Sequence, residues 1–127
     1  MTHTLRYACQ TYSWQMSLDT WRGRVGHLVD VVADAGFAGF EPELVMLGEP
    51  WSADSLRREL DRHDGLSLAA LVVAEDWLGE TGIETDEERA RADRAVEAAA
   101  ALGARLVLVP LPGADRRDLD VRRRHIM

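Results

Sequence analysis

The chain has 127 residues, of which 46% are hydrophobic and 29% charged, a balance typical of a folded protein rather than a disordered one. Its net charge of −7 argues against nucleic acid as the main partner, because phosphate-binding proteins usually present a basic face. The single cysteine, Cys9, excludes an internal disulfide and a cysteine-based zinc site. No stretch is long and apolar enough to predict a membrane span or a signal peptide, so the cytoplasm is the default location.

The first part of the chain predicts two strands with a helix between them. Residues 6–12 are rich in aromatic and β-capable side chains and predict a first strand. Apolar residues at helical spacing predict a helix over residues 17–35, which Gly36 ends. A second strand is predicted over residues 38–45, and it carries Glu41 and Glu43.

Two further helix–strand units follow. Ser52 is a favourable N-cap for the second helix, and Gly65 ends it before a third strand over residues 66–74. Thr85 and Glu88 have the spacing of a capping box that opens the third helix. The remaining predicted segments are a loop at 75–84, an alanine-rich helix stripe of Ala92, Ala95, Val96, Ala99 and Leu102, a fourth strand at 105–111 and a charged helix at 115–127.

This alternation of strands and helices predicts an α/β fold with parallel strands. The predicted strands begin near residues 6, 38, 66 and 105, and this spacing is close to the roughly 31 residues of one unit in an eight-fold barrel. A doubly wound open sheet uses similar units, so the spacing alone leaves both architectures open.

The carboxyl ends of parallel strands are where barrel enzymes place functional groups. Glu41 ends the second strand and is the first candidate, because a carboxylate there needs a substrate hydroxyl or a protein partner. The alternative is a salt bridge to a nearby arginine. Glu43 lies two residues on, after Pro42, and is expected to be exposed.

Two pairs of residues complete the predicted substrate site. Tyr12 and Trp14 follow the first strand and could form an apolar wall for a sugar ring, although packing under the barrel rim is the favoured alternative. Glu75 and Trp77 follow the third strand, where one could bind substrate and the other shield it, or both could be solvated. The histidines lie outside the strand ends without metal-ligand spacing, and no catalytic residue is identified.

Three segments, YACQTYSWQM, AGFAGFEPE and AAALGARLVLVPLPG, resemble the first, second and fourth strand regions of the xylose-isomerase-like TIM-barrel superfamily of sugar phosphate isomerases and epimerases. The resemblance implies that residues 1–127 form a partial (β/α)4 unit, the N-terminal half of a TIM-type barrel. It implies proton transfer next to a carbonyl in a small sugar or polyol, assisted by a divalent metal such as Mn, Mg, Co or Zn.

The family's metal ligands are Glu, Asp, His and Glu on strands of its second half, and no residue of this sequence matches them. The expected partners are therefore a small substrate and either a second copy of the chain or a C-terminal half, because an open half-barrel leaves association-prone edges. A non-catalytic half-barrel that binds or scaffolds is the alternative function. A nuclease of the endonuclease IV type is disfavoured by the acidic charge balance.

Overall fold

A computed structural model describes residues 4–75 and 86–110 of the chain. The predicted loop around Trp77, the Thr85 cap and the charged helix at 115–127 lie outside these residues. In chain order the elements are β1 (Ala8–Gln10), α1 (Tyr12–Gln15), α2 (Leu18–Trp21), α3 (Val25–Asp34), β2 (Gly39–Glu41), α4 (Leu44–Leu47), α5 (Ala53–Leu60), β3 (Ser67–Leu68), β4 (Ala70–Glu75), α6 (Asp86–Leu102) and β5 (Arg105–Pro110).

All strand pairs within the described residues are parallel, and their order in space follows their order in the chain. One sheet runs β1-β2-β3 and the other pairs β4 with β5. Ala69 separates β3 from β4, but its N–H still donates to the Phe40 carbonyl at 2.9 Å, and Val72 donates to Pro42 at 2.9 Å. The strands thus form one nearly continuous sheet. A doubly wound sheet reverses its strand order, so the sequential order favours a partial barrel and confirms the predicted α/β fold.

The hydrophobic core lies between this sheet and helices α3, α5 and α6. Phe40 of β2 is fully buried and packs in the same cluster as side chains from all three helices. Alanines on α6 allow that helix to approach closely, as predicted, although Val96 is 52% exposed and falls outside the stripe. The remaining buried members are Leu28, Val29, Val32, Met46, Leu47, Leu56, Leu60, Leu68, Leu71, Ala98 and Ala99.

Several predicted elements are wrong in extent. The strand predicted over 6–12 is limited to Ala8–Gln10, because the chain turns into α1 at Tyr12 and the Trp14 N–H donates to the Thr11 carbonyl at 3.0 Å. The helix that Gly65 was expected to end stops earlier, at Leu60. The helix predicted over 17–35 is divided into α2 and α3 at Gly23, whose N–H donates to the Met46 carbonyl at 2.9 Å instead of continuing a helix. The strand predicted over 38–45 stops at Glu41, and the chain then turns into α4, where Met46 donates to the Glu43 carbonyl at 2.9 Å. At Gly23 a long-range hydrogen bond replaces a helical one, and after Glu43 a local turn replaces the extended strand.

A polar cluster ties α3 to the end of α5. The Asp30 carboxylate lies 2.7 Å from His63 Nε2 and 2.6 Å from the Arg62 guanidinium, which also contacts Glu59 at 2.5 Å. These hydrogen bonds, from His63 first and Arg62 second, hold the pKa of Asp30 below its usual value. None of the helices in the described part of the chain is both long and apolar enough to cross a membrane.

Candidate functional site

The exits of β1 and β2 are joined by hydrogen bonds around one buried threonine. Thr11 is completely buried; its N–H donates to the Glu41 carbonyl at 3.3 Å, and its hydroxyl accepts from the Glu43 N–H at 3.0 Å. The Gln15 side-chain amide in turn donates to the Glu43 carboxylate. Because both backbone and side chain of Glu43 are held, this corner of the sheet is a preorganised frame for nearby groups.

Glu41 lies at the end of β2, beside Gln10 of β1. It is half-buried, and within the described residues its carboxylate makes no hydrogen bond or ion pair. The salt bridge to arginine that the sequence left open is therefore not seen in this part of the chain. A carboxylate in this position retains all its acceptor capacity for a hydroxyl donor.

Glu43 is positioned differently from the expectation. It was predicted to be exposed, but it is half-buried and bound by Gln15. The roles of Thr11 and Gln15 were not predicted from the sequence. A polar residue at the exit of a predicted strand was the available signal for Thr11, but its partner lies on another strand and is invisible in local sequence.

The two aromatic candidates of α1 occupy different environments. The Tyr12 side chain is 67% exposed, whereas Trp14 is partly buried against the hydrophobic core. Tyr12 is available to a ligand, and Trp14 has the packing role that was the alternative interpretation.

The third candidate pair is only partly within the described residues. Glu75 ends β4, where its backbone is paired with Pro110 of β5. It therefore lies, like Glu41, at the carboxyl end of a strand and on the same side of the fold. Trp77 lies outside the described residues.

A cleft of about 550 Å³ opens beside Glu43. It lies between α4, the loop after α4, the carboxyl end of β4 and the first half of α6. Arg22, Glu49 and Arg94 contribute polar groups to its wall, and Trp51 contributes an aromatic surface. Its size falls within the roughly 300–1,000 Å³ of small-molecule sites.

The donor side chains of the described residues do not gather into a metal site. Within residues 4–75 and 86–110, no three His, Cys, Asp or Glu side chains are placed together to hold a metal ion. These residues therefore do not supply the ligand set that the resemblance implies.

Comparison with known proteins identifies one family. The family model described as Xylose isomerase-like TIM barrel matches residues 29–127, which is most of the chain. The match includes β2 with Glu41 and the strands that follow it. No curated protein and no solved structure gives a significant match.

Proposed function

Because the chain belongs to the xylose isomerase-like TIM barrel family, we propose that it supplies substrate-binding residues of a sugar or polyol isomerase or epimerase. The reaction class is proton transfer next to a carbonyl. The resemblance also implies a divalent metal, but the described residues form no ligand set for one. The part played by these residues is accordingly to bind and orient the substrate.

Glu41 carries the proposal. Its half-buried carboxylate stands at the carboxyl end of β2 without a protein partner among the described residues. A charged acceptor of this kind suits neighbouring hydroxyl groups, since each hydroxyl donates a hydrogen bond that replaces lost hydration. The exposed Tyr12 ring, one residue after Thr11, offers an apolar surface and a phenol to the same substrate.

The frame around Thr11 supports this role for Glu41. The Glu41 carbonyl accepts from the Thr11 N–H, so the backbone that carries the carboxylate is fixed before a ligand binds. Preorganisation of this kind lowers the entropy lost on binding, because the protein group is already in position.

The test is a ligand screen with the full chain. Aldoses, ketoses and polyols are offered in D2O with added Mn²⁺, and proton NMR records both ligand binding and exchange of the proton next to the carbonyl. Glu41→Gln should weaken binding about tenfold or more, the usual effect of losing a charged acceptor. Glu97→Gln, on the exposed side of α6, is the matched control and should bind as the wild type does.

The outcomes separate two functions. Binding with exchange supports the isomerase or epimerase assignment, whereas binding without exchange supports the non-catalytic binding module. Equal affinity of the Glu41→Gln and wild-type proteins would contradict the site.

A further inference from the structure

We propose that the cleft beside α4 binds the oxyanion of a small ligand, a phosphate or a carboxylate group, through Arg22 and Arg94. This proposal is independent of the sugar site, because it rests on other residues. Among the described residues, the guanidinium groups of Arg22 and Arg94 line the cleft together with the carboxylates of Glu43 and Glu49.

Arg22 is positioned by backbone contacts rather than by an ion pair. The next residue, Gly23, donates to the Met46 carbonyl at 2.9 Å and packs against the backbone of Gly48. These contacts hold the α2–α3 junction against α4 and leave the Arg22 side chain on the wall of the cleft. Within the described residues the Arg22 guanidinium has no hydrogen-bond or ion-pair partner, so its donors are available to a ligand.

Arg94 already holds an oxyanion of the protein. Its two terminal nitrogens lie 3.0 Å and 3.3 Å from the two carboxylate oxygens of Glu49. This forked geometry is the one with which a guanidinium binds a carboxylate or a phosphate. Because both side chains are about half exposed, the pair contributes little to stability, and a ligand oxyanion can replace the Glu49 carboxylate.

The rest of the cleft suits the carbon part of such a ligand. Leu44, Trp51 and Val73 provide apolar surface between the charged groups. Small-molecule sites combine such surface with a few convergent polar groups, as here. The structure therefore points to a small organic anion rather than to an isolated inorganic ion.

Calorimetric titration of the full chain at constant ionic strength tests this assignment. The probes are glycerol 3-phosphate, glycerate, inorganic phosphate and uncharged glycerol; the first two distinguish a phosphate from a carboxylate on similar carbon skeletons. We expect Arg22→Gln and Arg94→Gln to weaken anion binding about tenfold or more, since each removes a charged donor. Glu49→Gln should instead strengthen binding several-fold, because it weakens the internal competitor.

Arg58→Gln is the matched control, since Arg58 is exposed on α5 and does not line the cleft. It should leave the affinity unchanged. A similar loss in this control would indicate general attraction of anions and would overturn the proposal, as would absence of anion binding by the wild type or weaker binding by Glu49→Gln.

Glu41→Gln separates the two proposals. It should reduce sugar binding and leave anion binding unchanged, so failure of one site is visible while the other is retained. Circular dichroism of each variant confirms that lost binding does not reflect lost folding.

Discussion

Replacement of Gly48 by alanine should be strongly destabilising, because two independent costs meet at this position. Gly48 ends α4 with φ of 69° and ψ of 159°, a backbone region that is essentially restricted to glycine. A Cβ atom placed on it would lie 2.7 Å from the Gly23 Cα and 3.0 Å from the Gly23 nitrogen. Those atoms belong to the backbone and cannot move aside as a flexible side chain could.

The backbone conformation costs about 1–3 kcal/mol for a residue with a side chain. Overpacking against the Gly23 backbone adds about 1–3 kcal/mol. The free energy of unfolding should therefore fall by roughly 2–6 kcal/mol in Gly48→Ala, which urea denaturation with an unchanged m-value would measure.

Gly36→Ala is the matched control for the steric part. Gly36 has φ of 83°, but a Cβ atom there would meet no atom within 4 Å. Only the conformational cost of about 1–2 kcal/mol remains. If Gly48→Ala were no more destabilising than Gly36→Ala, the close contact between the α2–α3 junction and α4 would be refuted.

Three further predictions concern other parts of the fold. Thr11→Val should lower the free energy of unfolding by about 1–3 kcal/mol and speed hydrogen exchange at the Glu43 amide. Thr11→Ser keeps the hydroxyl and should exchange at the Glu43 amide as slowly as the wild type. Equal exchange rates in the two variants would contradict the buried hydrogen bond. Because the folded-state pKa of Asp30 is lowered by its histidine and arginine partners, its contribution to stability is present above the unfolded value of about 3.9 and is lost as the pH falls through the folded value. Urea midpoints of Asp30→Asn should thus fall less steeply in acid than those of the wild type, and parallel curves would count against the cluster. Among the described strands, β1 and β5 each have one unpaired edge, and Leu108 of β5 is 56% exposed. We therefore expect the chain to associate with a second copy or a complementary half. Sedimentation should show species larger than a monomer and fewer of them in Leu108→Lys, whereas a monomeric wild type would exclude this association.

The sequence predicted those features that depend on local chemistry. Gly36 and Gly103 follow helices α3 and α6 with positive φ angles, as expected for residues that terminate helices. Gly65 also has a positive φ angle, but α5 already ends at Leu60. Ser52 caps α5, and its hydroxyl accepts from the Ser55 N–H at 3.0 Å. The order of these local signals was sufficient for the α/β fold.

Features that depend on distant contacts could not be predicted in this way. The division between α2 and α3 requires the Met46 carbonyl, and the position of Glu43 requires Thr11. Leu44 and Val45 have apolar side chains that fit a strand as well as a helix, and the turn at Glu43 decides between them. The sequence therefore predicted that Glu41 and Glu75 end neighbouring parallel strands, but it did not predict the hydrogen bonds around Glu43.

The sequential strand order also has a consequence for how the chain acquires its structure. In residues 4–75 and 86–110, each strand pairs with the strand that precedes or follows it along the chain, counting β3 and β4 as one interrupted strand. A nascent chain can consequently add one strand–helix unit at a time to those already synthesised, without waiting for a distant segment. The Thr11 contacts to Glu41 and Glu43 become possible as soon as the second strand has emerged, so the corner that carries the candidate site can form before β3, β4 and β5 are synthesised.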